Sequence, residues 1–336
     1  MKTTLRLMKA ALAALPAAAF ALLIAGSLAS PAFAQAWPSR PISLVVPAPP
    51  GGGTDILGRA LAQKFAEVLG QPVIVENKPG ASGMIGAGHV ARQAPADGHT
   101  ILLGALGSLV LTPNMYAKVP FNARSDFAPV SMSGRFDFVL VAHPRALPAS
   151  NLAELIEVAR REPRGLDYAS PGPGTVHHLA SELLARKTGV KLAAIQYKGG
   201  APAVQDVIAG HVPMMVLDVP TALPHIKGGK LRAIAVLSEK RIGQLPDVPT
   251  VAESGHPGFH ASTWQGIVVR AGTPPAIIAR LAAAHAQAVS DPAVREKLAA
   301  AGIEAIHTTS AEFSEVIRAD HAKWSEVIKA AGLSAE

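Results

Sequence analysis

The chain has 336 residues, a formal net charge of +7 and no cysteine. Disulfides, cysteine nucleophiles, zinc–thiolate sites and iron–sulfur clusters are therefore excluded, and the fold must hold by packing alone. Basic residues cluster no further than Arg160-Arg161 or Lys240-Arg241 and aromatics make up 4%, so neither a nucleic-acid footprint nor a base-stacking surface is expected.

Lys2, Arg6 and Lys9 precede an Ala/Leu-rich run from Ala10 to Ala29, followed by Ser30-Pro31-Ala32-Phe33-Ala34-Gln35. A positive start, an apolar middle and a small-x-small end describe a secretory signal peptide over residues 1–34, cleaved after Ala34. Pro16 and Gly26 interrupt the run and argue against a retained anchor. No later stretch reaches the ~18 unbroken apolar residues that span a bilayer. Subtracting the charges of Lys2, Arg6 and Lys9 from +7 leaves +4 on the mature chain, a mild field that favours small anions. Roughly 300 mature residues exceed what one core usually serves, which predicts two domains.

Ile42–Pro47 reads as a buried strand. Thr54–Leu69 carries Ile56, Leu57, Leu61, Phe65 and Val68 at helical spacing, and Gly70 closes it. Val73–Val75 and Ile101–Leu103 are the next strands, a rhythm that predicts parallel βαβ units. The rhythm breaks at Phe136–Val141. Asn151 and Glu154 then have capping-box spacing. A second series follows: strand Leu166–Ala169, helix Thr175–Thr188, strand Ala193–Tyr197, helix Ala201–Ala209, and strands Val212–Leu217 and Leu231–Leu237. After a Pro- and Gly-rich break between Leu245 and Gly258, Trp264–Val269 is a strand, and helices including Pro274–Val289 and Ser310–Ala330 close the chain. The expected architecture is two α/β lobes connected by crossings near 137–142 and 260–267, the second lobe inserted in the first. The cleft of such a hinged clamshell is a natural ligand site.

Ligands in open α/β sheets bind at the carboxyl ends of strands. The loop Pro47–Asp55 contains Gly51, Gly52 and Gly53 ahead of Thr54 and opens a helix, whose unpaired first-turn amides suit a carboxylate or phosphate. Asp55 either caps those amides or accepts a hydrogen bond from the ligand. The loop Ala169–His178 repeats the plan with Ser170, Gly174 and Thr175; His177 and His178 point about 100° apart and cannot chelate one metal, and His178 is the one that could reach the cleft. Tyr197-Lys198-Gly199-Gly200 is a third such loop, the strand-end Asp218 either binds a ligand amine or a water or caps the next turn, and Ser108 after the third strand is a weaker candidate. Gly86–Ala91 matches a dinucleotide-binding pattern but falls inside a predicted helix, not at a strand-to-helix turn. No nucleophile elbow or zinc-binding histidine pair occurs, so neither catalysis, metal nor cofactor is expected.

The segments Trp37–Ile42, Val45–Pro47 with Gly51–Asp55, Glu76–Ala81, Asp126–Val130, Tyr168–Ser170 with Gly174-Thr175, Tyr197–Ala203, Leu245–Glu253, and Trp264 with Gly266 occur in one order along nearly the whole mature chain. In them the sequence resembles the Bug/TctC family, the periplasmic solute-binding proteins of tripartite tricarboxylate transporters. The resemblance implies a two-lobed periplasmic-binding-protein fold of Venus-flytrap, type II-like form, with lobe 1 formed by 35–138 and 263–336 and lobe 2 by 139–262. It implies a small carboxylate held by backbone amides and ordered waters, with contacts from Gly52, Gly53, Thr54, Ser170, Gly174, Thr175, Tyr197, Gly199 and Asp218. Ala48 departs from the aromatic residue common at its position, which removes an expected aromatic wall. The expected function is a monomeric receptor delivering the carboxylate to inner-membrane transporter subunits. A sensor kinase is the alternative partner, and a secreted hydrolase is the competing class.

Overall fold

The computed structural model describes residues 37–331. The expected signal peptide and its cleavage after Ala34 lie outside the described residues. Every helix and strand named below belongs to one compact unit, Arg40–Glu336.

β1 (Ile42–Val46) lies between β2 (Val73–Asn77) and β3 (Thr100–Ala105), all parallel. Between β1 and β2 runs α1 (Gly53–Leu69), which buries Leu57, Leu61 and Phe65 on one face. Gly70 ends it at φ 71°, a left-handed conformation that costs a residue without Cβ little, and returns its N–H to the Ala66 carbonyl. Helix α2 (Met84–Arg92) contains the whole Gly86–Ala91 run, so the dinucleotide reading fails on geometry. A π-helical turn (Gly107–Leu111) then leads into the short α3 (Thr112–Met115).

The long strand β4 (Phe127–Ala142) organises the molecule. From Phe127 to Asp137 it pairs antiparallel with β9 (Ser262–Arg270), which in turn pairs antiparallel with β3. From Phe138 onward it pairs with β7 (Met214–Asp218) and β8 (Arg232–Val236) instead. The short β10 (Ile303–Ala305) pairs with its first half. Just before β9, the Ala261 N–H donates to the Leu237 carbonyl. The chain thus crosses between two strand systems at 137/138 and again at 261/262. The sequence placed only Phe136–Val141 in this strand. Pro129 and bulges at Pro129/Ser131 and Met132/Gly134 disrupt the period-2 pattern of its first half.

The second series contains α4 (Leu152–Arg161), β5 (Leu166–Ser170), α5 (Val176–Thr188), β6 (Leu192–Gln196), α6 (Gly200–Ala209) and α7 (Val219–Lys227), with β5 and β6 parallel. Asn151 caps α4: its side chain accepts from the Glu154 N–H at 2.9 Å, and Glu154 reaches back to the Ser150 N–H at 2.7 Å. The two faces of β4 feed two cores. Phe138, Leu140 and Ala142 enter one; Val139 and Val141 enter the other with Leu217 and Val236. Helices α8 (Pro275–Ser290), α9 (Pro292–Ala300) and α10 (Ser310–Ala331) end the chain. Trp264 fixes α10 to β9 through a 2.6 Å bond from Nε1 to Asp320 and an edge-on contact with Phe313. No helix among the described residues is long and apolar enough to cross a membrane.

Candidate functional site

The strand-to-helix loops after β1, β5, β6 and β7 open on one cavity of about 650 Å³, within the ordinary range for small-molecule sites. Each loop delivers a helix N-terminus, where first-turn amides have no partner inside their helix. Four such termini, of α1, α5, α6 and α7, therefore put partial positive charge around one space.

Of the residues expected at the site, Gly52, Gly53, Thr54, Ser108, Thr175, Tyr197, Gly199 and Asp218 line this cavity. Four do not. Asp55 is buried inside α1 and turned back on its own loop, accepting from the Gly51 N–H at 2.9 Å, Arg59 at 2.8 Å and Asn77 at 2.8 Å. It ties the glycine loop to β2 and caps no first-turn amide. Ser170, the last residue of β5, is fully buried, and its hydroxyl pairs with Gly172 in the turn that follows. Gly174 takes φ +75° and packs against Met115 and Tyr116. His178 faces Glu182, 4.0 Å away, and burial pushes its pKa down. The turn of the helix between adjacent residues instead brings His177 to the cleft.

Asp218 is the electrostatic centre. It caps α7, accepting from the Thr221 N–H at 3.1 Å and from the Thr221 hydroxyl at very short range. It also accepts from the Gly53 N–H of α1 at 3.2 Å, and His177 Nε2 stands 3.4 Å from its other oxygen. Burial pushes the carboxyl up, but the His177 and Thr221 contacts outweigh it and hold the group below its ordinary value. One carboxylate therefore joins two helix N-termini across the cleft. A Cβ on Gly53 would stand 2.8 Å from the Phe136 ring, so a glycine is required for this approach. At the N-terminus of α5, Thr175 accepts one first-turn amide, the His178 N–H, at 3.2 Å. The terminus of α6 has no side-chain cap, and the exposed Lys198 lies beside it. Tyr197 lends its ring to the wall, while its hydroxyl donates to Asp206 at 2.6 Å; burial and that bond push its pKa up to about 12.

Sequence reasoning missed several lining residues. Phe136 and Phe138 stand two apart on β4 and so share a face, their rings edge-on at 6.3 Å; His177 packs edge-on against Phe138 at 5.0 Å. They supply aromatic surface that Ala48 does not. Their alternation was the available signal. Ser82, in left-handed backbone at φ 53°, donates to the Pro173 carbonyl at 2.7 Å, and Tyr116 donates to the same carbonyl at 3.1 Å. Gln265, in the strand read from Trp264, lies on the lining without any motif to mark it. The arrangement is suited to holding an anion with an apolar body.

A family model described as tripartite tricarboxylate transporter family receptor (TctC) matches residues 57–333. Protein BugT of Bordetella pertussis is 38% identical over 306 residues, which cover 91% of this chain and 93% of that protein. The R. palustris protein Rpa4515, solved with adipate, superposes with a TM-score of 0.85 at 34% identity, covering 89% of this chain and 99% of that one. The periplasmic binding protein BugD superposes at 0.84 with 33% identity, covering 89% and 100%. The two-lobed α/β fold with its two crossings is thus the fold of periplasmic binding proteins.

Proposed function

The chain belongs to the tripartite tricarboxylate transporter receptor (TctC) family, and from that premise we propose that it is an extracytoplasmic receptor that captures a small organic carboxylate between its lobes. The observation that carries the reading is the convergence of four helix N-termini on one cavity. First-turn amides and ordered waters would hold the carboxylate, as the anion chemistry of helix ends favours. Gly52, Gly53, Thr54, Ser108, Thr175, Tyr197 and Gly199 are the proposed direct contacts, and the ionised Asp218 meets the ligand through an ordered water or a ligand amine. Lobe 1 comprises 35–138 and 263–336, and lobe 2 comprises 139–262. Cleavage after Ala34 would release the receptor into the periplasm, where it delivers its ligand to the membrane subunits of a tripartite transporter. Of the titratable groups of the cavity, His177 and Asp218 are engaged with each other, and the proposed role is binding without turnover.

The test is thermal denaturation against a panel of mono-, di- and tricarboxylates, followed by calorimetric titration of the hits. A ligand present at about a hundredfold its Kd stabilises the folded state by about 2.7 kcal/mol, which the melting curve resolves. Stabilisation by at least one organic acid is expected. A flat response across the panel overturns the proposal.

A further inference from the structure

Strand β9 places Gln265 on the cavity lining, paired in the sheet with Ala105 on one side and Gly134 on the other. The residue is 1% exposed, and its Oε1 has no hydrogen-bond partner. Its Nε2 makes one long contact, 3.4 Å to Thr263 Oγ1. Buried polar groups in native proteins are almost always paired, because an orphaned one retains its full desolvation cost. The neighbouring polar side chains are satisfied within the chain: Ser108 by the Ala105 backbone, Asp218 by Gly53 and Thr221. Gln265 is the buried lining group whose hydrogen bonding the protein leaves to whatever enters.

Its surroundings narrow what that is. Thr263, on the same face of β9, lies opposite Phe136 in the sheet, and Phe136 and Phe138 present their rings to the same space. The two rings, edge-on to one another, offer aromatic surface on which a flat ring packs well. Among the described lining residues there is no arginine, the one lysine, Lys198, is exposed, His177 is engaged with Asp218, and burial, then Lys230, pushes the pKa of His225 down. A second ionised carboxylate beside Gln265 would be desolvated without a cationic partner. A hydroxyl both donates and accepts, so it satisfies a carboxamide in either orientation.

Resting on the receptor reading, we propose that Gln265 is a specificity-determining residue and that the ligand is a ring-bearing monocarboxylate carrying a hydroxyl that pairs with the Gln265 carboxamide. Calorimetric titration of the purified protein with benzoate, meta-hydroxybenzoate and para-hydroxybenzoate tests it. One hydroxylated isomer is expected to bind about tenfold or more tighter than benzoate, the worth of one buried hydrogen bond. In Gln265→Met, which keeps the side-chain length and removes both polar ends, that gap closes. Equal affinities of the wild-type protein for all three acids overturn the inference whether or not the variant folds. So does a gap that persists in Gln265→Met. Binding of adipate but of no ring acid overturns it while the receptor reading stands; binding of no carboxylate at all overturns both.

Discussion

Replacing Asp218 with alanine removes the one carboxylate that joins α1 to α7. The helix cap is worth about 1 kcal/mol. The hydrogen bonds to the Gly53 N–H and the Thr221 hydroxyl are charge-assisted and worth about 1.5 kcal/mol each, but solvent in the cleft can re-pair part of what they satisfy. The expected net loss is about 2–3 kcal/mol. For a protein of about 300 residues that lowers Tm by about 3–5 °C. Asp218→Asn keeps a competent cap and loses the charge, so its expected cost is about 1 kcal/mol. The pH dependence separates the two effects. The folded carboxyl is held below its ordinary value by His177 and Thr221, against the upward push of burial. Its contribution is therefore complete above the unfolded pKa of about 3.9 and is lost as pH falls through the folded value. Melting curves of wild type and Asp218→Asn should stay a constant distance apart from pH 7 to 5 and converge below about pH 4. An Asp218→Ala protein that melts with wild type at pH 7, or a gap to Asp218→Asn that persists undiminished into acid, refutes the reasoning.

Gly53→Ala gains helix propensity but sets a methyl 2.8 Å from Phe136 Cζ and 3.0 Å from Cε1, both on a ring buried in the site; overpacking of about 1–3 kcal/mol outweighs the gain. Its Tm should fall and its affinity for the best carboxylate should drop about tenfold or more by calorimetry, and wild-type affinity would contradict the steric argument. His285 is fully buried between Phe65, Ser133 and His307, and burial, then the charge of His307, pushes its pKa down to about 3. Its folded pKa lies below the unfolded value of about 6.5, so the stability it confers is whole above that pH and is lost on the way down, about 2 kcal/mol by pH 5. His285→Gln should flatten the decline in Tm between pH 6.5 and 4, and parallel curves for the two proteins would exclude His285 as its source.

The loops that build the cavity were legible because glycine and proline punctuate them and because strand and helix periods alternate on either side. Asp218, Gly53 and Thr175 could be placed from that rhythm alone. Side-chain direction could not. Whether Asp55 points into the cleft or back to Arg59 and Asn77 depends on residues far away in sequence. The same holds for the adjacent histidines: His177 reaches Asp218 because of where β7 lies beside α5, and the sequence pointed to His178 instead. Ser170 and Gly174 sit in the right turn, yet the turn consumes them. Phe136 and Phe138 were read as strand residues, since an alternating apolar run looks the same whether it faces a core or a cavity. Gln265 carried no local signal; only the absence of a partner in three dimensions distinguishes it.

Strand β4 belongs to both sheets without a loop between them, and the change of partners falls between Phe136 and Phe138. The rings on either side of that change are also walls of the cavity, so a ligand in it would rest on the one strand the two sheets share. At the mouth of the same cavity, Ser82 and Tyr116 reach across to the Pro173 carbonyl. The segment that ties the two sheets together is thus also one that a bound ligand would press on.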